Sequence, residues 1–493
     1  MKANTQQKMS KNAKTAITPT REENFPEWYQ QVIKAADLAE NSPVRGCMTV
    51  KPYGWAIWEN MQNIFDPWLK DYGVQNCSFP LLIPVSFLSR EAEHVEGFAK
   101  ECAVVTHHRL EADPDGNGLR AAPAAELEEP FVVRPTSETI IGDSMSRWIQ
   151  SYRDLPLQLN QWGNVMRWEM RTRMFLRTSE FFWHEGHNAF ADHEGAKGDC
   201  LHILDLYEKF FTEVLALDGY KGVKTADERF PGANETYAFE AMMQDGKALQ
   251  AATTHDLGTN FAKTFDIKYQ TKDGGEALCH TTSWAFSTRM IGGLIMMHGD
   301  DDGMIMPPRI APQQVVILPM LKGENDADIL AFADKVAAQL KEQGVKAKVD
   351  ARDMRTPDKM WDAIKKGVPL RVEIGGREME AGEVTTVRRD IGRDSKQTIS
   401  ADQFVKDVQS MLDQIHDDML AKSRKFRDEN TAEGQFVADI EEFYKSGKIG
   451  FVKVPVELLK DDKLEAVMKE HSLSARNMPF ADDGKMVLIA KAY

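Results

Sequence analysis

Residues 161–187, QWGNVMRWEMRTRMFLRTSEFFWHEGH, bring arginine, glutamate, histidine and tryptophan together at spacings of two. Side chains alternate along a strand, so an extended 164–169 puts Arg167 and Glu169 on one face. In a strand returning over 178–188, Phe181, Trp183, Glu185 and His187 share a face as well. Such a wall would offer a guanidinium, carboxylates, an imidazole and aromatic surface, and Arg171, Arg173 and Arg177 would lie in the turn. Arginine suits phosphate because its planar fork donates two parallel hydrogen bonds and stays charged at every relevant pH. A plain hairpin with a solvated charged loop and an aromatic core face has the same spacing, and spacing alone leaves both open.

Three further segments carry groups able to bind or react. In FVVRPTSET (131–139), Thr136 and Glu138 share a face if extended, a hydroxyl beside a carboxylate that could hold an ammonium. The same residues could simply cap a helix, with Thr136 or Ser137 at its start and Glu138 in its first turn. KALQAATTHDLGTN (247–260) gathers Gln250, Thr253, Thr254 and His255 among small residues. SWAFSTRMIGGLIMMHG (283–299) reads as a strand entering an apolar helix, with Ser287 and Arg289 where polarity disappears. An arginine there needs either an anionic ligand or a buried ion pair.

These groups need a framework, and the periodicity supplies one. Trp58, Met61, Phe65, Trp68 and Tyr72 recur at helical steps and predict a helix over 54–72, with Pro67 kinking or breaking it between Asn63 and Pro67. A β-prone run leads through Phe79-Pro80 to Pro84, and 111–130 reads as a surface excursion between strands. Ile203, Tyr207, Phe210, Val214 and Leu217 mark a helix with one buried face. Three prolines between Asp301 and Pro312 mark a domain boundary. Beyond it strands and helices alternate, which predicts a small α/β domain with a largely parallel sheet. After about residue 420, two helical stretches and the closing KMVLIAKA suggest a third unit.

At 493 residues, with 42% apolar and 28% charged residues, the chain can bury several cores, and bulk disorder is excluded. A net charge of -15 argues against a protein that coats polyanions, though not against a local basic site. The five cysteines are scattered without a C-x-x-C pair, which indicates neither a disulfide framework nor a thiolate zinc site and fits a reducing compartment. No apolar window is long enough to cross a bilayer, so a soluble, cytoplasmic protein is expected, with no membrane partner. Residues 1–21 are basic without an acid and are expected to form a flexible tail, although a transit peptide has a similar composition.

Taken in order, these segments resemble the three signatures of class II aminoacyl-tRNA synthetases: a long helix leading to a strand that ends in a proline (Pro80), R-x-E (Arg167, Glu169), and a strand–helix with a late arginine (Arg289). RPTSET, LNQWGNVMRWE, FLRT, HEGH, THDLG, TRMIGGLIMMHGDDDG, PPRIAP and GVPLRVEIG are similar to prolyl-tRNA synthetases of the archaeal/eukaryotic-like type, over roughly 25–493. The resemblance implies an α+β fold: a class II antiparallel-sheet catalytic domain (22–311) after the tail (1–21), an anticodon-binding α/β domain (312–417) and a C-terminal α+β domain (418–493). It also implies attachment of L-proline to tRNA(Pro) through a prolyl-adenylate, with ATP and Mg²⁺. Arg167, Glu169 and Arg289 would be catalytic. Arg167, Glu169, Arg177, Thr178, Phe181, Gln250, Thr253, Ser287 and Arg289 would bind ATP, with Phe181 and Arg289 sandwiching adenine and Gln250 near magnesium. Thr136, Glu138, Arg167, Trp183, Glu185, His187 and His255 would bind proline.

The same resemblance implies a homodimer through 54–84, an approach of Tyr493 to the active site, and no zinc, since the C-terminal unit lacks the four cysteines of some relatives. Only about 120 residues separate Glu169 from Arg289, which leaves no room for a large editing insertion, so a free-standing Ala-tRNA deacylase is an expected partner. The chain departs from the family pattern at Ala285, where glycine is common, and at the bulky Phe286. A class II synthetase for another amino acid, or a non-catalytic tRNA-binding paralogue, is the alternative.

Overall fold

The computed structural model describes residues 15–90 and 101–493 of the chain. They form two compact units, one from residues up to Leu38 with His298–Ile415, the other from Ala39–Met297 with His416–Tyr493. This division differs from the boundaries expected near 311 and 417, and bonds between residues far apart in sequence account for it. In the first unit Ile17 is buried and its N–H donates to Asp301 O (2.8 Å), while Arg21 pairs with Asp301 (3.2 Å). Arg389 grips Asp300 through two hydrogen bonds of 2.7 and 2.6 Å. The expected tail therefore does not extend to residue 21; its first fourteen residues lie outside those described.

The second unit is built on an eight-stranded sheet. Its order is Met478–Pro479, Gly219–Val223, Glu235–Met242, Ala248–Gly258, His280–Ser287, Glu180–Phe190, Leu157–Met166, Gln75–Asn76. Every pairing is antiparallel except the last, where Gln75–Asn76 runs parallel to its neighbour. Alternation separates the faces. His184 and Phe286 turn to the helices Pro52–Asp71 and His193–Glu213, where Phe65 lies 5.2 Å from Phe286, 5.5 Å from Tyr207 and 5.2 Å from Phe210. Each such ring, fully buried, contributes about 1.5–3 kcal/mol. The bulk of Phe286 is thus taken up within this aromatic cluster. Gly186 is required on this face, because a Cβ there would fall 2.1 Å from the Trp284 ring.

The helix Pro52–Asp71 runs through Pro67 without a break. Proline withdraws the donor for the Asn63 carbonyl, but both residues are exposed, so water can serve that carbonyl. Meanwhile Trp58, Met61, Phe65 and Leu69 pin the other side of the helix to the sheet. The excursion at 111–130 contains a hairpin, Leu110–Ala112 with Leu119–Ala121.

The C-terminal segment adds a four-stranded sheet, ordered Thr431–Glu433, Phe451–Pro455, Met486–Ala490, Ser474–Ala475, with helices Val437–Lys445 and Asp462–His471. In the first unit, the five-stranded sheet is mixed rather than largely parallel. Ala347–Val349, Val315–Pro319 and Leu370–Ile374 are parallel, and Glu383–Arg388 and Gln397–Ser400 antiparallel. Of the basic residues in this unit, Arg371, Arg388, Arg389 and Lys366 each pair with an acid: Glu373, Asp390, Asp300 and Asp362.

Candidate active site

The eight-stranded sheet carries a cavity of about 310 Å³ on the face that presents Glu185 and His187. The strand Leu157–Met166 ends one residue before Arg167, so R-x-E lies just past the strand rather than within it. Pairing still continues, because Arg167 N–H donates to Ser179 O (2.7 Å). RPTSET is stitched alongside: Met166 N–H donates to Arg134 O (3.0 Å), and Arg167 Nε to Pro135 O (3.0 Å). Ser137 precedes the helix Glu138–Trp148 without a side-chain cap bond, which leaves its hydroxyl to donate to Glu185 Oε1 at 2.5 Å. Thr136 donates to Glu138 Oε2.

The structure brings Thr136, Glu138, Arg167, Phe181, Trp183, Glu185, His187, Gln250, Thr253, His255, Ser287 and Arg289 onto the wall of this one cavity. Glu169, Arg177 and Thr178 are not on that wall. Glu169 and Arg177 face each other across the turn at 3.8 Å, and the Thr178 hydroxyl donates to Glu180 O (2.6 Å). The turn nevertheless reaches Arg289, whose Nε donates to Leu176 O (3.2 Å).

The electrostatics divide the cavity in two. Arg167 lies over the rings of Phe181 and Trp183, 5.4 and 5.5 Å from their centroids. Burial pulls its pKa down to about 10, against the pull of Glu138 and Glu185. Burial, together with repulsion from Arg177 and Arg167, brings Arg289 to about 10 as well. Both remain cations at neutral pH, in surroundings that favour an arriving anion. On the other side, burial pushes the Glu185 carboxyl up, but bonds from His187, Ser137 and Gln161 outweigh it and hold the group below its usual range. His187 moves the opposite way: burial disfavours its charge, yet Glu185 Oε2 at 3.1 Å raises its pKa. His255 is neutral, brought to about 3 by burial and by the charges of Lys224, His187 and Arg167. Its nitrogens meet the hydroxyls of Thr236 (3.0 Å) and Thr253 (3.2 Å).

The sequence reading missed Lys224, Glu228, Arg229, Phe230, Pro231 and Thr236 on the same wall. Phe230 covers His255 with ring centroids 4.5 Å apart. The segment from Lys224 to Asn234 has no periodicity to place it. Only its position, shortly before the strand that carries Thr236 opposite His255, could have signalled a role.

Cationic arms beside an apolar pocket with two carboxylates suit an amino acid next to a nucleotide. No covalent nucleophile is called for. Among the described residues no three ligating side chains gather as a metal cage. A magnesium ion would arrive on nucleotide phosphates, and the Gln250 amide oxygen is one hard donor on a wall that also carries the carboxylates of Glu138, Glu185 and Glu228.

Residues 123–298 match a family model described as the tRNA synthetase class II core domain (G, H, P, S and T), and 314–411 match an anticodon binding domain. A proline–tRNA ligase of Bdellovibrio bacteriovorus is 53% identical over 452 residues, 90% of each chain. One from Paramagnetospirillum magneticum is 50% identical over 484 residues, 97% of this chain and 96% of its own. A crystal structure of prolyl-tRNA synthetase from Cryptosporidium parvum, complexed with halofuginone and AMPPNP, superposes with a TM-score of 0.88 at 32% identity, covering 97% of this chain and 99% of that one. With identity at this level across nearly its whole length, the chain belongs to the prolyl-tRNA synthetase family of class II aminoacyl-tRNA synthetases.

Proposed function

We propose that the protein joins L-proline to tRNA(Pro) in two steps. A proline carboxylate oxygen attacks the α-phosphorus of ATP and pyrophosphate leaves. The terminal ribose hydroxyl of the tRNA then attacks the adenylate carbonyl carbon, AMP leaves, and the hydroxyl proton is released. The observation that carries this reading is the sharing of one cavity by two half-buried arginines and a carboxylate-lined apolar pocket. Arg167 bridges the α-phosphate and the proline carboxylate, and Arg289 with Phe181 holds adenine. Glu138, Thr136 and the Glu185–His187 pair receive the imino group, while Trp183, Phe230 and neutral His255 wall the ring. Glu169, Arg177 and Thr178 serve ATP through the turn; Gln250, Thr253 and Ser287 do so from the sheet. Magnesium bound with ATP supplies charge neutralisation, and positioning does the rest. Charging of a tRNA(Pro) transcript with labelled proline tests the assignment; failure to charge under ATP excess would defeat it.

The relatives named above include bacterial proteins, and the archaeal/eukaryotic-like type is an architectural assignment. It is supported by the C-terminal α+β sheet and by the absence of a large insertion between Glu169 and Arg289, where every residue is described. Residues 312–417 would read the anticodon. No described helix is long and apolar enough to cross a membrane, and we place the enzyme in the cytoplasm.

We also propose a homodimer, but not through the aromatics of the Pro52–Asp71 helix. Trp58 is buried against Trp162, Trp55 lies against Phe182, and Trp68 against Phe210. Exposed apolar residues gather instead on nearby strands, with Leu82 and Val104 on strands that both pair with Glu126–Val133. Light scattering at micromolar concentration should give twice the chain mass; a fully active monomer would refute the dimer.

A further inference from the structure

The C-terminal segment reaches the catalytic sheet through one buried arginine. Met478–Pro479 pairs with Gly222 and Val223 as the edge strand, so closely that a Cβ on Gly222 would fall 2.1 Å from Met478 O. Asn477 locks the register, donating to Tyr220 O (2.9 Å) and Ala238 O (3.1 Å). Next to it, Arg476 lays its fork on Glu240, with hydrogen bonds of 3.0 to 3.2 Å to both carboxylate oxygens.

Glu240 is fully buried and stands opposite Gln250 in the sheet, hence on the cavity face. Its second partner is Lys224 Nζ, 3.1 Å from Oε1. Lys224 is itself buried, lines the cavity and opens the segment that carries Phe230 over His255. It also lies 4.0 Å from Glu228 on that segment. Two cations thus share one carboxylate, and burial alone would drive Glu240 towards protonation; the charges of Lys224 and Arg476 hold it ionised instead.

We propose that Arg476 is a positioning residue for the proline side of the cavity, acting through Glu240 to fix Lys224 and the 224–234 segment. With Arg476 in place, Glu240 divides its charge between two partners and Lys224 keeps its reach to Glu228. Without it, Lys224 alone must neutralise a buried carboxylate and is drawn onto it, which releases its hold on the segment over His255. The C-terminal segment thereby sets amino-acid affinity from outside the pocket. This inference rests on the functional reading above.

Steady-state ATP–pyrophosphate exchange on the full-length enzyme tests it, with Arg476→Met as the main variant, because it removes the charge that shares Glu240 with Lys224, and Arg476→Lys as the conservative variant that keeps that charge. Glu240→Gln with Arg476→Met removes the buried charge that would hinder folding. KM for proline should rise roughly ten- to hundredfold in Arg476→Met, as for a misplacement of about 1 Å, and Arg476→Lys should recover most of that loss. KM for ATP should change less than KM for proline, since Lys224 and its segment lie by His255, while Arg476 and Glu240 act on Arg289 through their charges. A residue that only stabilises the fold would lower the active fraction, and so apparent kcat, while leaving KM for proline alone. That outcome in Arg476→Met would overturn the proposal. Absence of proline-dependent exchange in the unmodified enzyme would instead defeat the functional reading.

Discussion

His187 Nε2 lies 3.1 Å from Glu185 Oε2, and both residues are buried, at 5% and 2% exposure. Both shifts favour the ionised pair: His187 is raised above its ordinary value and Glu185 lowered below its own. Two carboxyl-proximal donors, Ser137 Oγ and Gln161 Nε2, hold Glu185 Oε1 in place. The pocket floor is thereby set before any ligand arrives.

Its pH behaviour follows from those directions. The stabilisation due to His187 is full below its unfolded pKa of about 6.5 and is lost as pH rises through the raised folded value. That due to Glu185 is present above about 4.3 and is lost as pH falls through the lowered folded value. Glu185→Gln removes the acceptor charge and leaves burial as the dominant influence on His187. Its imidazole titration, followed by NMR in the folded protein, should move below the ordinary histidine range. An unmoved titration would contradict the pairing.

Much of this floor was legible in the sequence, because alternate residues on a strand are bound to share a face: Phe181, Trp183, Glu185 and His187 do so, and all reach the cavity. Lys224 and Phe230 were not legible, since a loop has no period and its placement is decided by Glu240 and His255. Nor was the joining of Arg21 to Asp301, a contact across 280 positions that no local pattern encodes. At Pro67 local propensity was overridden by the buried face of its own helix.

Tyr493 lies where it can order the motif turn. Its N–H donates to Ala248 O (3.1 Å), its hydroxyl to Asp245 Oδ2 (2.6 Å), and Arg173 lies over its ring at 5.8 Å. Arg173 in turn pairs with Arg177 across the turn. Deleting Ala492 and Tyr493 should lower the exchange rate while Tm moves little, because both residues lie beyond the strand Met486–Ala490 that packs in the core. Unchanged kinetics would show that the contact is ornamental.

Alanine should be activated at a measurable rate. A pocket shaped for proline cannot bar a smaller side chain and discriminates only by lost apolar contact, about 1–3 kcal/mol per methylene. Two missing methylenes limit selectivity to roughly thirtyfold to a few ten-thousandfold. The strands and helices between Glu169 and Arg289 form part of the catalytic sheet and its packing, with no separate hydrolytic module among them. Ala-tRNA(Pro) incubated with the enzyme alone should persist at the no-enzyme rate, and a free-standing deacylase would be needed to clear it. Accelerated hydrolysis would reveal an editing site in this chain.

The central claim is that the cavity activates proline by charge neutralisation at Arg167. Its most direct test is amino-acid-dependent ATP–pyrophosphate exchange, run with each of the twenty amino acids on the unmodified enzyme and on folded Arg167→Ala. Proline should dominate, and Arg167→Ala should lose on the order of a hundredfold or more, as when one preorganised donor to a developing charge is removed. Near-normal exchange in folded Arg167→Ala, or a different preferred amino acid, would contradict the account.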